Sequence, residues 1–452
     1  MSEVITHQKD TPTETYICDR LGEQYTRFTH PSGLSVLVFP KQMHTVSVAV
    51  GVRYGAQDTR FALDNGCVRY YPEGVAHYLE HQLFTRPDGG TVDEEFSAMG
   101  ADVNAWTNYE KTVYTAGAAD HFDQVPEALL RFVMQPVFTE KSVQKERGII
   151  AQEIRMVEDD PWEKLHRRTM SALFSHHPMQ RGICGSETSI SRITPQTLYN
   201  CYYAFYQPTN MYLVVCGATD ADAVRRMVDR VMSELPRMDS RGVKRASQVD
   251  YDRRIPVLQK RVGRASVSKP IFQIAWRDDC YPSDPSERQR HMLCMDVISE
   301  LLFSHAGVLY NRLVEENLIT AAYSYGYTAM ESCAYHTIGG ESDDPEAVYR
   351  IYCEVLDEFR KNAISYEDFE RNRRVAYAGY VGDFDDTDDI ADLLLDAESD
   401  GYGCFERLHL IDTLSHRQVQ ELFLQVLDKE HTTLTVLAPY QNMKTEGENE
   451  DD

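Results

Sequence analysis

Two histidines and a glutamate near the start of the chain have the residue types and spacing needed for metal chemistry. His77 and His81 are four positions apart, and Glu80 directly precedes the second histidine. On a helix, positions i and i+4 lie on one face one turn apart, so both imidazoles can direct a ring nitrogen at one cation. A carboxylate on the neighbouring stripe reaches a water on that cation rather than the cation itself. The spacing therefore predicts a metal site with its own base.

The residues around this motif favour a helix. Val75, Leu79 and Leu83 fall on a stripe roughly opposite the histidines, at about 100° per residue. The order His-x-x-Glu-His is the inverse of the common zinc-peptidase motif and is itself typical of zinc peptidases. Taken alone, the same residues are also compatible with a partly exposed polar helix face that binds nothing.

A second segment contains a candidate for the missing ligand. Catalytic zinc usually has three protein ligands and an open position, so two histidines predict a third ligand elsewhere. The segment from Thr139 to Pro161 is predicted to be a helix, with Thr139 as N-cap and Pro161 at its end. Glu146 and Glu153 fall inside its apolar face, where unpaired carboxylates are costly and a metal ion would satisfy them. That predicted face consists of Val143, Ile149, Ile150, Ile154, Met156 and Val157.

At these positions the chain resembles the pitrilysin and insulinase family of inverted-motif zinc peptidases, which includes mitochondrial processing peptidase. In that family a glutamate ligand lies well downstream of the motif, with another functional glutamate seven positions before it. The resemblance implies one Zn²⁺ per chain, with His77, His81 and Glu153 as ligands. It also implies that Glu80 is the general base and that Glu146 is an auxiliary catalytic carboxylate near the metal.

Two further stretches resemble the substrate-binding parts of this family. The sequence Gly-Ala-Asp-Val-Asn-Ala-Trp-Thr resembles its active-site strand, whose Asn-Ala step, here Asn104 and Ala105, lies along the bound substrate. In the second half of the chain, family members commonly carry an arginine and a tyrosine that hold the substrate carbonyl. The aligned arginine position is Val314, so the candidates for these two roles are Arg312 and Tyr323.

The resemblance also implies the architecture. We expect an α+β fold with two similar domains, each a mixed β-sheet covered by helices on one side, as in the processing peptidases. The expected parts are a catalytic domain over residues 1–240, a linker over 241–264, an inactive peptidase-like domain over 265–440 and an acidic disordered tail over 441–452. No inverted motif recurs in the second half, so we expect only the first half to bind metal.

Composition restricts the possible partners and location. The net charge of −25 argues against a nucleic-acid or anionic-membrane surface, and acidity that lines a chamber would favour basic peptides. The chain starts without an export segment, and we find no apolar run near the length of about 20 residues that spans a bilayer. Ten scattered cysteines without C-x-x-C pairs indicate reduced thiols. We therefore expect a cytoplasmic protein without membrane insertion.

The expected function is a zinc metalloendopeptidase acting on peptides or unfolded segments, with processing of a precursor or leader peptide as the more specific expectation. Full-length relatives close four such domains into a chamber, whereas this chain has length for two. A homodimer, or a heterodimer with a related subunit, is therefore implied. The alternative is a non-catalytic or partner-dependent peptide-binding subunit of a peptidase complex.

Overall fold

The computed structural model describes residues 6–9, 12–62, 67–86, 90–235, 244–245, 256, 258–320 and 322–440. Its strands are β1 (Thr6–Lys9), β2 (Pro12–Cys18), β3 (Glu23–Thr29), β4 (Ser35–Pro40), β5 (Val46–Val52), β6 (Arg60–Ala62), β7 (Val68–Tyr70), β8 (Ala101–Thr107), β9 (Thr112–Ala118), β10 (Met211–Gly217), β11 (Lys244–Arg245), β12 (Lys260–Ala265), β13 (Ile271–Arg277), β14 (Tyr323–Ala329), β15 (Ala334–Glu341) and β16 (Thr432–Pro439).

The α-helices are α1 (Val75–Leu83), α2 (Val92–Ala98), α3 (Gln124–Met134), α4 (Glu140–Asp159), α5 (Pro161–Leu173), α6 (Glu187–Ile190), α7 (Pro195–Phe205), α8 (Ala221–Glu234), α9 (Pro285–Phe303), α10 (Val308–Glu315), α11 (Pro345–Asn362), α12 (Tyr366–Gly382), α13 (Thr387–Asp400), α14 (Glu406–Thr413) and α15 (His416–Val426). Short 3₁₀ turns connect several of them.

Two mixed sheets with matching topology form the frame of the molecule. The first has the strand order β1-β2-β3-β4-β10-β5-β9-β8, and the second has the order β12-β16-β13-β15-β14. The last five strands of the first sheet repeat the order of the second. In each set the first and last strands along the chain pair in parallel, while the other pairs are antiparallel. This repetition confirms the expected α+β fold of two similar units.

Each sheet is covered on one face by a helix from the other half of the chain. Helix α13 packs on β5 and β10, where the Ser47 hydroxyl donates to Thr387 Oγ1 over 2.8 Å. Helix α5 packs on β13 and β16, where Leu165 joins Ile271 and Leu437 in one apolar cluster. Strands β5 and β10 are buried along their whole length, because both of their faces are apolar and both are covered. The first sheet is therefore covered on two sides rather than the expected one.

Because of this exchange of helices, the expected division into two consecutive domains does not describe which residues pack on each sheet. Residues 161–173, which the sequence assigned to the first domain, pack on the second sheet, and residues 387–400 pack on the first. The linker expected over 241–264 includes β11, which pairs with β6, and most of β12, which pairs with β16. Residues 246–255 and the expected acidic tail over 441–452 lie outside the described residues.

One helical stretch within the described residues, made of α9, α10 and the turn between them, has the length and composition of a membrane span. It covers Pro285–Glu315, and the sequence analysis had found no such stretch. Its most apolar window is 67% buried inside the protein. Helix α9, which forms most of it, packs against α12, α15 and β14. The core packing of α9 accounts for its apolar composition.

Candidate metal centre

Helix α1 presents both predicted histidines on one face. The ring centroids of His77 and His81 lie 4.5 Å apart, with His77 buried and His81 partly exposed. The hydroxyl of Tyr78 donates to the backbone carbonyl of Val143, which ties α1 to α4. The opposite stripe of α1 lies in the core of the first half, as predicted, through Val75, Leu79 and Leu83.

Helix α4 brings two glutamates to this face. Its N-cap is Thr139, whose side chain accepts from the backbone N–H of Ser142 over 3.1 Å, so the predicted start of the helix is confirmed. Glu146 is buried, and Glu153 is partly exposed. The apolar face is narrower than predicted, because Ile149 and Met156 are 47% and 68% exposed. The buried apolar residues of α4 are Val143, Ile150 and Ile154.

Glu153 lies between the two histidines. Its Oε1 is 3.4 Å from His77 Nε2, and its Oε2 is 3.4 Å from His81 Nε2. Two ligands of one tetrahedral zinc ion are separated by about 3.4 Å when each bond is about 2.0–2.2 Å long. Oε2 of Glu153 is also buried without a hydrogen bond. The spacing of the three side chains therefore fits a zinc ion, and histidine and glutamate are residue types that bind zinc in proteins.

Glu146 acts on this group through His81. Its Oε1 is 3.0 Å from His81 Nδ1, which orients the ring so that Nε2 points at Glu153. Burial alone would lower the pKa of His81, but the neighbouring carboxylates of Glu146 and Glu153 outweigh it and raise this pKa to about 10. The imidazoles of His77 and His81 beside it hold the pKa of Glu153 well below its usual range. The carboxylates of Glu146 and Glu153 therefore stabilise positive charge at the two imidazoles.

Glu80 lies beside the metal group without belonging to it. Its carboxylate is buried and accepts a hydrogen bond of 2.5 Å from the hydroxyl of Thr107, at the end of β8. Thr107 is in turn 3.2 Å from the hydroxyl of Thr112. The sequence predicted Glu80 as the general base but did not single out Thr107 as the residue that bonds to it. The only signal for Thr107 was its position at the end of the expected substrate strand.

The open edge of the first sheet runs past the metal group. Strand β8 pairs only with β9 among the described strands, so its other edge is unpaired. Asn104 and Ala105 line a cavity of about 660 Å³ together with His77, Glu80 and His81. The Asn104 side chain accepts from the Ala105 backbone N–H over 2.8 Å. The structure thus brings the expected substrate strand and the metal group to one cavity.

A second cavity of about 750 Å³ continues from this one, between the two halves of the molecule. The two share Trp106, Ile183 and Cys184. Burial, reinforced by the charge of Asp396, raises the pKa values of Asp392 and Asp400 in the second cavity. Its carboxylates outnumber its cationic groups and come from Glu110, Glu158, Glu163, Asp392, Asp396 and Asp400.

Arg312 and Tyr323 are not brought to the metal group. The Arg312 guanidinium pairs with Glu358 over 2.9 Å and with Glu354 over 3.5 Å, both on α11. Tyr323 is buried, and its hydroxyl donates to the backbone carbonyl of Phe303 over 2.9 Å. Neither side chain lines either cavity, so their expected role on the substrate carbonyl has no support in this arrangement. The second cavity, which we call the cleft, is lined from the second sheet and its loops by Thr328, Ala329, Met330 and Tyr335.

Comparison with known families agrees with this geometry. Residues 68–187 match the family described as insulinase (peptidase family M16), and residues 192–375 match the peptidase M16 inactive domain. YmfH of Bacillus subtilis, named as a zinc protease, is 33% identical over 70% of this chain and 73% of its own length. ML0855 of Mycobacterium leprae, also named as a zinc protease, is 26% identical over 93% of each chain.

Solved structures share the whole fold. An M16-like peptidase from Alicyclobacillus acidocaldarius has a TM-score of 0.88 at 25% identity and covers 94% of this chain and 100% of its own. Pitrilysin has a TM-score of 0.72 at 16% identity, and the match covers 97% of this chain but 47% of pitrilysin. The likeness to pitrilysin shows the fold alone, over about half of that protein.

Proposed function

Because the chain belongs to the pitrilysin and insulinase (M16) family of peptidases, we propose that it is a zinc-dependent endopeptidase of peptides and unfolded segments. One observation carries the proposal. Glu153 lies 3.4 Å from both imidazoles at the spacing of zinc ligands, while Glu80 faces the same cavity. A metal group, a base and an unpaired strand edge at one cavity are the parts that peptide hydrolysis requires.

The chain's own residues have separate roles in the proposed reaction. Bound zinc supplies a Lewis acid that polarises the scissile carbonyl and lowers the pKa of a water molecule. Glu80 accepts the proton of the attacking water and later passes it to the leaving amine. The hydroxyl of Thr107 holds one carboxylate oxygen of Glu80 in place. Glu146 orients the imidazole of His81.

The substrate is proposed to add as a strand to the open edge of β8. Backbone hydrogen bonds along such an edge require an extended segment, so flexible peptides bind and compact proteins do not. In this position the substrate backbone displaces the Asn104 side chain from the Ala105 N–H. Precursor or leader peptides meet this requirement and are the proposed natural substrates.

The proposed location and assembly follow from other features. The ten cysteines are scattered along the chain without C-x-x-C pairs, which suits the reducing cytoplasm. The chain matches about half of pitrilysin, so a second copy or a related subunit would complete a chamber of that size. We therefore place the active form in a dimer, in which the partner covers the cleft.

A non-catalytic or partner-dependent subunit is the second candidate. The observations that favour it are the match of residues 192–375 to an inactive domain and the absence of Arg312 and Tyr323 from both cavities. Loss of catalysis usually removes ligands or the base, whereas His77, Glu80, His81 and Glu153 are all present and clustered. The catalytic proposal therefore has the stronger support.

The test is cleavage of an unstructured peptide by the purified chain, with a folded protein as the comparison substrate. We expect the peptide to be cut, activity to vanish with a chelator and to return with zinc, and the folded protein to resist. Addition of a related subunit from the same organism tests partner dependence. Absence of cleavage with zinc present, both alone and with that subunit, would overturn the proposal.

A further inference from the structure

A cysteine thiol lies against the candidate metal group. Sγ of Cys184 is 3.9 Å from His77 Nε2 and 3.8 Å from Glu153 Oε1, the atoms that face the proposed zinc. Cys184 is partly exposed and lines both cavities where they join. The roles proposed for the catalytic reaction do not use this thiol.

Tight backbone packing holds Cys184 in this position. Gly74, directly before α1, has a φ of 86°, and a Cβ on it would overlap the backbone carbonyl of Cys184. Gly185 has a φ of 74°, and a Cβ on it would overlap the carbonyl of Glu73. Both positions require glycine for conformational and steric reasons. The Ser189 hydroxyl also donates to the Glu73 carbonyl over 2.8 Å. The loop of Cys184 is therefore pressed against the helix that carries the histidines.

The distances compare closely with those of a metal ligand. With zinc bonds of about 2.3 Å to sulfur and about 2.1 Å to nitrogen or oxygen, tetrahedral ligands are separated by about 3.6 Å. The two observed separations of 3.8 and 3.9 Å exceed this by a few tenths of an ångström. His77, His81 and Glu153 have ligand atoms within 4.8 Å of one another and Cys184 is outside that group, so its side chain must move to complete the ligand set.

We propose that Cys184 is a fourth, displaceable ligand of the metal held by His77, His81 and Glu153. This inference rests on the proposed function. The thiol proton passes to solvent as the sulfur–metal bond forms, and the thiolate takes a proton from solvent when substrate displaces it. Four protein ligands give the closed arrangement of structural zinc sites, whereas three leave the position that catalysis needs. The resting enzyme is thus held closed until a peptide occupies the cleft.

The experiment uses the cobalt-substituted full chain. Wild type is expected to show the near-ultraviolet charge-transfer absorption of a thiolate bound to Co²⁺, and Cys184→Ala and Cys184→Ser are expected to lack it. Cys353→Ala, which changes a partly buried cysteine on α11, is the matched control and should keep the band. Zinc should also slow the reaction of one thiol with a disulfide reagent in wild type but not in Cys184→Ala. Zinc affinity should fall by about tenfold or more in the Cys184 variants.

The possible results separate the two proposals. If cobalt binds to wild type with no sulfur charge-transfer band, the proposal for Cys184 is wrong and the peptidase proposal stands. If neither cobalt nor zinc binds to wild type, both proposals fail. At saturating zinc, peptidase activity of Cys184→Ala should exceed that of wild type, because the competing ligand is gone. A large loss of activity in a variant that keeps its zinc would contradict the displaceable role.

Discussion

Replacing Glu110 with glutamine should remove a pH-dependent loss of stability at the contact between the two halves. Glu110 lies in the turn between β8 and β9, and its Oε1 accepts from the backbone N–H of Glu331 over 2.7 Å. Burial raises the pKa of Glu110 from 4.5 to about 7, with the charges of Glu331 and Asp400 contributing, although the Glu331 N–H opposes the shift. Glutamine keeps an oxygen acceptor for that N–H and carries no charge.

The sign and size of the effect follow from the two pKa values. Between about pH 4.5 and about pH 7 the folded state binds more protons at Glu110 than the unfolded state, so stability falls as the pH rises. The full shift corresponds to at most about 3 kcal/mol. Because Glu110 is partly exposed, solvent screening reduces the expected effect to about 1 kcal/mol.

The assay is denaturant unfolding of wild type and Glu110→Gln at pH 5 and pH 8. The free energy of unfolding of the variant should gain about 1 kcal/mol on wild type between these values. Glu94→Gln, at an exposed position on α2, is the control and should leave the pH dependence of wild type unchanged. Equal pH dependence in wild type and Glu110→Gln would refute the reasoning.

Three further predictions concern the site. Thr107→Val should lower kcat by about tenfold at unchanged zinc content, because Glu80 loses an orienting hydrogen bond; unchanged kcat would contradict this. Glu146→Gln should weaken zinc binding by about 10–100-fold in chelator competition, while Glu140→Gln, at the exposed start of α4, should not. Basic peptides should show a lower KM than acidic ones at low salt, and Asp392→Asn should reduce this difference; no charge preference would refute the role of the acidic cleft.

Local periodicity was sufficient to predict the parts of the site that lie on helices. The spacing of His77 and His81 places them on one face of α1, and the spacing of Glu146 and Glu153 places both on one face of α4. Neither prediction required knowledge of the tertiary structure, because each depends on one helix. The expectation that α4 contacts α1 rested only on the cost of burying two carboxylates and on the family resemblance.

Features that depend on packing between distant segments could not be predicted in this way. Arg312 and Tyr323 were chosen by position along the chain. In the structure Arg312 pairs with Glu358 on α11 and Tyr323 donates to the carbonyl of Phe303, so neither lines the cleft. The exchange of α5 and α13 between the sheets has no signature in either helix alone. Cys184 gave no local signal either, because its contact with the metal group depends on a loop folding back on α1.

The most direct test of the central claim is to measure zinc content and peptide turnover together in wild type, Glu80→Gln and Glu153→Gln. We expect about one zinc per chain in wild type, full zinc with turnover reduced by about 10²–10⁴-fold in Glu80→Gln, and loss of both in Glu153→Gln. Full turnover by Glu80→Gln, or zinc retained at wild-type affinity by Glu153→Gln, would contradict the account.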